Sequence, residues 1–108
     1  MAKRQIDKSI IEIVQAFILE VKKYYNVDYV ILFGSFANGN QHDDSDIDVA
    51  VVSKEIQNSF NDSVKMMEIC ENIDLRIEPH AIRTDDYQKN ATALINEIIK
   101  TGVQIFAA

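Results

Sequence analysis

The sequence predicts a mixed α/β or α+β domain in which helices pack on a small β-sheet. Three observations carry this reading. Apolar residues recur at spacings of three and four between Ser9 and Tyr25. Nearly continuous apolar runs fill Val27–Phe33 and, after an acidic start, Asp46–Val52. Segments of the two kinds then succeed one another to the end in the order α-β-β-α-β-α-β.

Taken in order, Ser9–Tyr25 reads as an amphipathic helix whose stripe is Ile10, Val14, Phe17, Ile18, Val21 and Tyr25, with Asn26 as its stop. Val27–Phe33 is rich in β-branched and aromatic residues, as a strand covered on both faces would be. Gly34-Ser35 ends it abruptly, and Phe36-Ala37-Asn38 has room for one helical turn before Gly39. Residues 40–45 form a polar loop that leads into the strand Asp46–Val52. Ser53–Asn61 is a polar connection, and Ser63–Asn72 reads as a helix with Met66 and Cys70 near one line and Val64 and Met67 on another.

Ile73–Ile77 alternates apolar and charged residues, the period of a strand, and Pro79 is expected to end it or to place its end at an edge. Thr84-Asp85-Asp86 offers cap chemistry for a helix from Tyr87 to Lys100. Gly102 stands at that helix's C′ position, and Val103–Phe106 is a short last strand.

Composition bounds the function. The 108 residues fit one domain, 1–108, with 47% apolar and 26% charged residues, ordinary globular usage. The net charge of -6 argues against a track for duplex nucleic acid. No apolar run approaches the ~20 residues of a membrane helix. Met1-Ala2-Lys3-Arg4 is basic, but Asp7 and Glu12 interrupt the next residues, so this start does not read as a secretory segment. With a single cysteine, Cys70, the expected location is a reducing cytoplasm.

The chemistry concentrates in Gly34-Ser35-Phe36-Ala37-Asn38-Gly39 and Ser45-Asp46-Ile47-Asp48-Val49. Residues two apart on a strand share a face, so Asp46 and Asp48 are neighbours. Two carboxylates held together repel unless a cation neutralises them, and Mg²⁺ takes one or two carboxylates plus substrate phosphates. A bare pair of this kind is more often a solvated strand end. The upstream glycine changes the reading: it lets backbone N–H groups approach an anion, and a helical turn after it would aim its amides there. Ser35 adds a hydroxyl donor.

The combination, a hydrophobic strand, then G-S-x-x-x-G, then S-D-I-D-V-A-V-V, resembles the nucleotidyltransferase superfamily that includes DNA polymerase beta. It is most similar to the minimal nucleotidyltransferases, often encoded as antitoxins beside a HEPN-domain toxin. The resemblance implies a polymerase beta-like nucleotidyltransferase fold. It also implies transfer of a nucleoside monophosphate from a triphosphate, with ATP giving AMP, to an acceptor hydroxyl. Two Mg²⁺ ions would be held by Asp46, Asp48 and a third carboxylate on a neighbouring strand. Asp74 is the chosen match for that third group, as metal ligand or as general base, and Glu78 is its rival. Gly34 and Ser35 would clamp phosphate, and Arg76 would offset phosphate charge.

His42 reads as solvated, His80 as a residue within reach of a ligand, and Cys70 as core. The acceptor would belong to a HEPN-type all-helical partner, with another chain or a second copy of this one completing its site. Two other readings stand beside catalysis on a partner protein. One is an antitoxin that neutralises its toxin by contact alone. The other is transfer to a small-molecule hydroxyl, for which the chain offers no second domain to shape a pocket.

Overall fold

The computed structural model of the chain describes residues 6–42 and 44–108. The basic opening Met1–Arg4, and Asp43 of the polar loop, lie outside the described residues. The elements are α1 (Lys8–Val21), β1 (Val27–Phe33), α2 (Ser35–Asn38), β2 (Ile47–Ser53), α3 (Ser59–Cys70), β3 (Ile77–Arg83), α4 (Thr84–Lys89), α5 (Ala93–Thr101) and β4 (Val103–Ala107).

The first helix forms where its stripe predicts, burying Ile10, Val14, Phe17, Ile18 and Val21. Asp7 caps it, its side chain accepting the Ser9 N–H at 2.9 Å. It stops at Val21 rather than Tyr25, because the Val21 carbonyl accepts from both Tyr24 and Tyr25 in a closing turn. The next element, β1, occupies the expected Val27–Phe33.

The four strands make one mixed sheet in the order β3-β2-β1-β4. The strand β1 runs antiparallel to β2 and to β4, while β2 and β3 are parallel. A parallel pair needs a crossover, and α3 supplies it. One face of the sheet (Val30, Leu32, Val49, Val51) packs with Val14 and Phe17 of α1 and Met66 of α3. The other (Ile31, Phe33, Ala50, Val52, Ile82) packs with Ile95 and Ile98 of α5. Both faces of β1 and β2 are therefore covered, which is why those strands carry unbroken apolar runs. Each such side chain contributes ~1.5–3 kcal/mol when fully buried.

Three expectations need correction. First, Ile73–Ile77 is not a strand. The Cys70 carbonyl accepts from Ile73 and Asp74, the Asp74 carboxylate accepts the Arg76 N–H, and the Asp74 carbonyl accepts from Ile77. These turn bonds hold residues 73–76 out of the sheet, and β3 starts where they end, at Ile77. Pro79 lies inside β3 instead of ending it. An edge strand tolerates a proline on its free side, and β3 is an edge. The flanking edge N–H groups are also occupied, Ile77 by the Asp74 carbonyl and Ala81 by Ser63 Oγ at 2.9 Å. The edge is thus blunted against pairing with another chain.

Second, α3 begins at Ser59, because Asn58 caps it by accepting the Asn61 N–H. Third, the helix expected over Tyr87–Lys100 is two helices. Asn90 adopts a left-handed conformation with φ 53° and ends α4, and Thr92 caps α5.

Candidate active site where β1, β2 and β3 meet

The register of the sheet builds the site. Phe33, the last residue of β1, pairs with Asp48, and Asp48 pairs with Glu78 across the parallel ladder. Strand alternation puts Asp48 on the same face as Ala50 and Val52, and Glu78 and His80 on the same face as Ile82. At the end of this face the apolar layer therefore gives way to Asp48, Glu78 and His80.

Two features hold the approach to β2. Ser45 is buried; its hydroxyl accepts the His42 N–H at 2.8 Å and its own N–H donates to the His42 carbonyl at 2.9 Å. That closed loop delivers Asp46, exposed, immediately before β2. The Ile47 N–H then donates to the Arg76 carbonyl at 2.8 Å, tying the start of β2 to the chain entering β3.

Gly34 touches this group directly. Its φ is 73° with ψ -149°, a conformation reserved for glycine. A Cβ at this position would collide with the Asp48 carboxylate. The glycine therefore serves both purposes at once: it turns the chain into α2 and leaves room for Asp48 beside the turn. Gly34 is the N-cap of α2 and provides no side-chain cap, and the first N–H groups of a helix have no intrahelical partner. Ser35 is the first residue of that turn, which Gly39 closes in a left-handed conformation.

The oxygen and nitrogen atoms converge. One ligand atom each from Asp48, Glu78 and His80 lies within 4.8 Å of the others. His80 Nε2 stands 3.4 Å from Asp48 Oδ1 and 4.0 Å from Glu78 Oε1. The imidazole is buttressed by the Phe33 ring, edge to face at 5.0 Å between centroids. Burial raises the Glu78 pKa, and so do a hydrogen bond with Asp46 and the negative charges of Asp48 and Asp46, against the opposing pull of His80. Like charges are crowded here in the way that a divalent cation relieves. The donor set of carboxylates with one imidazole fits such an ion.

The structure brings together Asp46, Asp48 and Gly34 of the predicted residues, with Ser35 next in the chain. It does not add Asp74 to them. Asp74 lies in the turn before β3, where Arg76 grips its carboxylate with Nε at 3.1 Å and Nη2 at 2.9 Å. That hydrogen-bonded fork holds the Asp74 carboxyl below the usual range and raises Arg76. The side chain of Arg76 borders the groove that Asp46, Glu78 and His80 also line. The place facing Asp48 belongs to Glu78. The sequence places His80 only within reach of a ligand and gives Ser45, though part of the motif, no role of its own; the i, i+2 spacing of Glu78 and His80 on one strand is the available signal. Cys70 is core as expected, its thiol pushed up to about 12 by burial.

The chain is similar to known proteins. The family model described as polymerase beta nucleotidyltransferase matches residues 15–108. A relative from Methanocaldococcus jannaschii, described as a candidate protein adenylyltransferase, is 31% identical over 99 residues, 89% of this chain and 98% of that protein. Among solved structures, a candidate nucleotidyltransferase from Sulfolobus solfataricus superposes with a TM-score of 0.66 at 24% identity, covering 92% of this chain and 81% of that one. A toxin–antitoxin structure with AMP-PNP gives 0.60 at 18% identity over 91% and 73% of the two chains. The MntA–HepT toxin–antitoxin gives 0.59 at 14% over 94% and 74%. At these identities the structural likenesses establish a shared fold, and with the family match and the archaeal relative they place this chain in the polymerase beta nucleotidyltransferase family.

Proposed function

We propose that the chain, as a single domain over 1–108, transfers AMP from ATP to a hydroxyl on a partner protein, with Asp46, Asp48 and Glu78 as its acidic centre. The observation that carries this is the register that sets Asp48 opposite Glu78 and against Gly34. In this reading Glu78 takes the role that the sequence resemblance gave to Asp74. When bound, Mg²⁺ supplies neutralisation of the triphosphate and of the leaving pyrophosphate.

The chain's own groups do the rest. Asp46, Asp48 and Glu78 would hold the cations and so fix where the phosphates lie. The N–H groups at Gly34 and Ser35, with the Ser35 hydroxyl, bind phosphate oxygens and keep the α-phosphorus in line with the acceptor. The second carboxylate oxygen of Glu78 accepts the proton of the acceptor hydroxyl. Arg76, at the rim of the groove, offsets phosphate charge.

A protein acceptor is supported by two observations. The archaeal relative carries the description of a protein adenylyltransferase. The groove lined by Asp46 and Glu78 is also lined by Phe60 and Leu75, which are 77% and 81% exposed, and exposed apolar residues grouped beside a site mark partner surfaces. Among the described residues no helix is long and apolar enough to cross a membrane. The proposed place of action is the cytoplasm, a reading supported by the single free thiol of Cys70.

A second reading is favoured by the toxin–antitoxin structures that share the fold. In it the chain neutralises a HEPN-type toxin by contact, without transfer. One experiment separates the two: incubate the chain with α-labelled ATP, Mg²⁺ and the protein encoded beside it. Label on the partner that disappears with Asp46→Asn plus Asp48→Asn supports transfer. Neutralisation that survives the double substitution, with no label in the wild type, supports contact.

A further inference from the structure

Besides carboxylates, the centre contains a nitrogen. His80 Nε2 is aimed between two acids, 3.4 Å from Asp48 Oδ1 and 4.0 Å from Glu78 Oε1. A charge-assisted N–H···O bond would be shorter, about 2.7–2.9 Å. The two separations also fall within the span of ligands sharing one ion. With bonds of about 2.1 Å in octahedral geometry, adjacent ligands lie about 3 Å apart and opposite ones about 4.2 Å. The imidazole is also fixed in place: His80 belongs to β3, paired with Ala50 of β2, and its ring rests edge to face against Phe33. A ligand held by a strand on one side and a buried aromatic ring on another loses little freedom on binding an ion.

The geometry points to His80 as a direct ligand of one divalent cation shared with Asp48 and Glu78, which makes this position selective for Mn²⁺ over Mg²⁺. The chemical reason is the donor. Mg²⁺ is hard and takes oxygen ligands, whereas first-row transition cations accept imidazole readily. An all-carboxylate centre would leave Mg²⁺ at no such disadvantage. The inference rests on the function proposed above, since it names the ion that the same carboxylates hold.

The test uses the whole chain and Mn²⁺ alone, read by pulsed electron paramagnetic resonance for coupling to a directly bound ¹⁴N. Coupling is expected in the wild type and lost in His80→Ala and in His80→Gln, with Mn²⁺ still bound and the circular dichroism unchanged. Competition titration should show the Mn²⁺ to Mg²⁺ affinity ratio falling about tenfold in both variants. A histidine that only orients Asp48 from outside would weaken both ions alike. Bound Mn²⁺ without nitrogen coupling in the wild type, or coupling that survives both variants, overturns the inference while leaving the transferase reading intact. Mn²⁺ binding indifferent to Asp48→Asn plus Glu78→Gln, or no Mn²⁺ binding at all, overturns the shared ion site, while the transferase reading is decided separately by the labelling assay.

Discussion

Asp48 and Glu78 face each other across the β2–β3 ladder, and the next residue on that face of β3, His80, reaches the same Asp48 carboxylate. In the proposed reading the third acid is therefore Glu78, on β3, and not Asp74 in the turn before it. Glu78→Gln keeps the shape and removes the charge, so labelled transfer should fall about 10²–10⁴-fold. Asp74→Asn loses only a rim ion pair with Arg76, whose guanidinium is half-exposed, and such pairs contribute ~0–1 kcal/mol. It should stay within about fivefold of wild type, since that energy corresponds to about a factor of five. The reverse ranking in steady-state rates would return the role to Asp74.

Gly34→Ala tests the other contact of Asp48. The added methyl meets the carboxylate and must also adopt φ 73°. Backbone strain of this kind costs about 1–3 kcal/mol, to be read as a lowered midpoint in urea. Transfer should fall further than that loss explains, because the displaced group is Asp48. Gly39→Ala controls for backbone strain alone: its φ is 77°, but a Cβ there meets no atom within 4 Å. Equal losses of activity in the two variants would show that the Gly34 contact has no functional weight.

Much of this was legible beforehand. The stripe of α1 and the limits of β1 follow from side-chain periodicity, and Gly34, Asp46 and Asp48 from their types and spacing. The misplaced strand shows where that reading fails. Ile73-Asp74-Leu75-Arg76-Ile77 alternates as a strand does, yet Leu75 is exposed and the Asp74 side chain competes for the backbone. Alternation cannot distinguish a turn whose acid bonds the next N–H but one from a strand whose acid points at a partner. Pro79 is compatible with a strand end or with an edge, and only the assembled sheet decides between them.

The break between α4 and α5 had a signal that the apolar period concealed. Thr92 Oγ1 accepts the Ile95 N–H at 3.1 Å, and Asn90 Nδ2 donates to Asn96 Oδ1 at 3.0 Å. Thr92→Ala removes the cap and should lower stability by about 1 kcal/mol, with Thr92→Ser restoring most of it. Chemical denaturation of the two variants decides this; identical midpoints would mean the cap contributes nothing.

If the acceptor is a protein, the apolar rim of the groove should matter to it. Phe60 is 77% exposed on α3 and lines the groove with Glu78. Phe60→Asp should leave the folding midpoint within ~0.5 kcal/mol of wild type, as exposed substitutions usually do. Labelling of the partner should drop about tenfold or more, since buried aromatic anchors at interfaces carry about 2 kcal/mol or more. Pyrophosphate release without a partner should not change. Undiminished partner labelling would place the docking surface elsewhere.

The last prediction concerns pH and a contact between α3 and the turn that follows α1. Tyr25 Oη donates to Asp62 Oδ1 at 2.7 Å, joining the turn after α1 to α3, and Asp62 Oδ2 accepts from the Gln57 and Asn58 N–H groups. Burial pushes the Asp62 carboxyl upward, but the bonds from Tyr25, Asn58 and Gln57 outweigh it and leave the pKa lowered. Burial raises the Tyr25 phenol to about 12, with the bond to Asp62 adding to it. The two shifts act at opposite ends of the pH scale. A lowered carboxyl stabilises the fold above the unfolded value, about 3.9, and that contribution is lost as pH falls through the folded pKa. A raised phenol stabilises it below about 10, and that contribution is lost as pH climbs from there toward 12. Tyr25→Phe removes the shared bond and leaves Asp62 with fewer donors, so stability at neutral pH should drop by about 1.5–3 kcal/mol. The variant should also lose most of the alkaline decline between pH 10 and 12 and show a shallower acid limb. Urea midpoints measured across pH for both proteins test it, and parallel curves separated by a constant offset would show that the bond stabilises the fold without setting either titration.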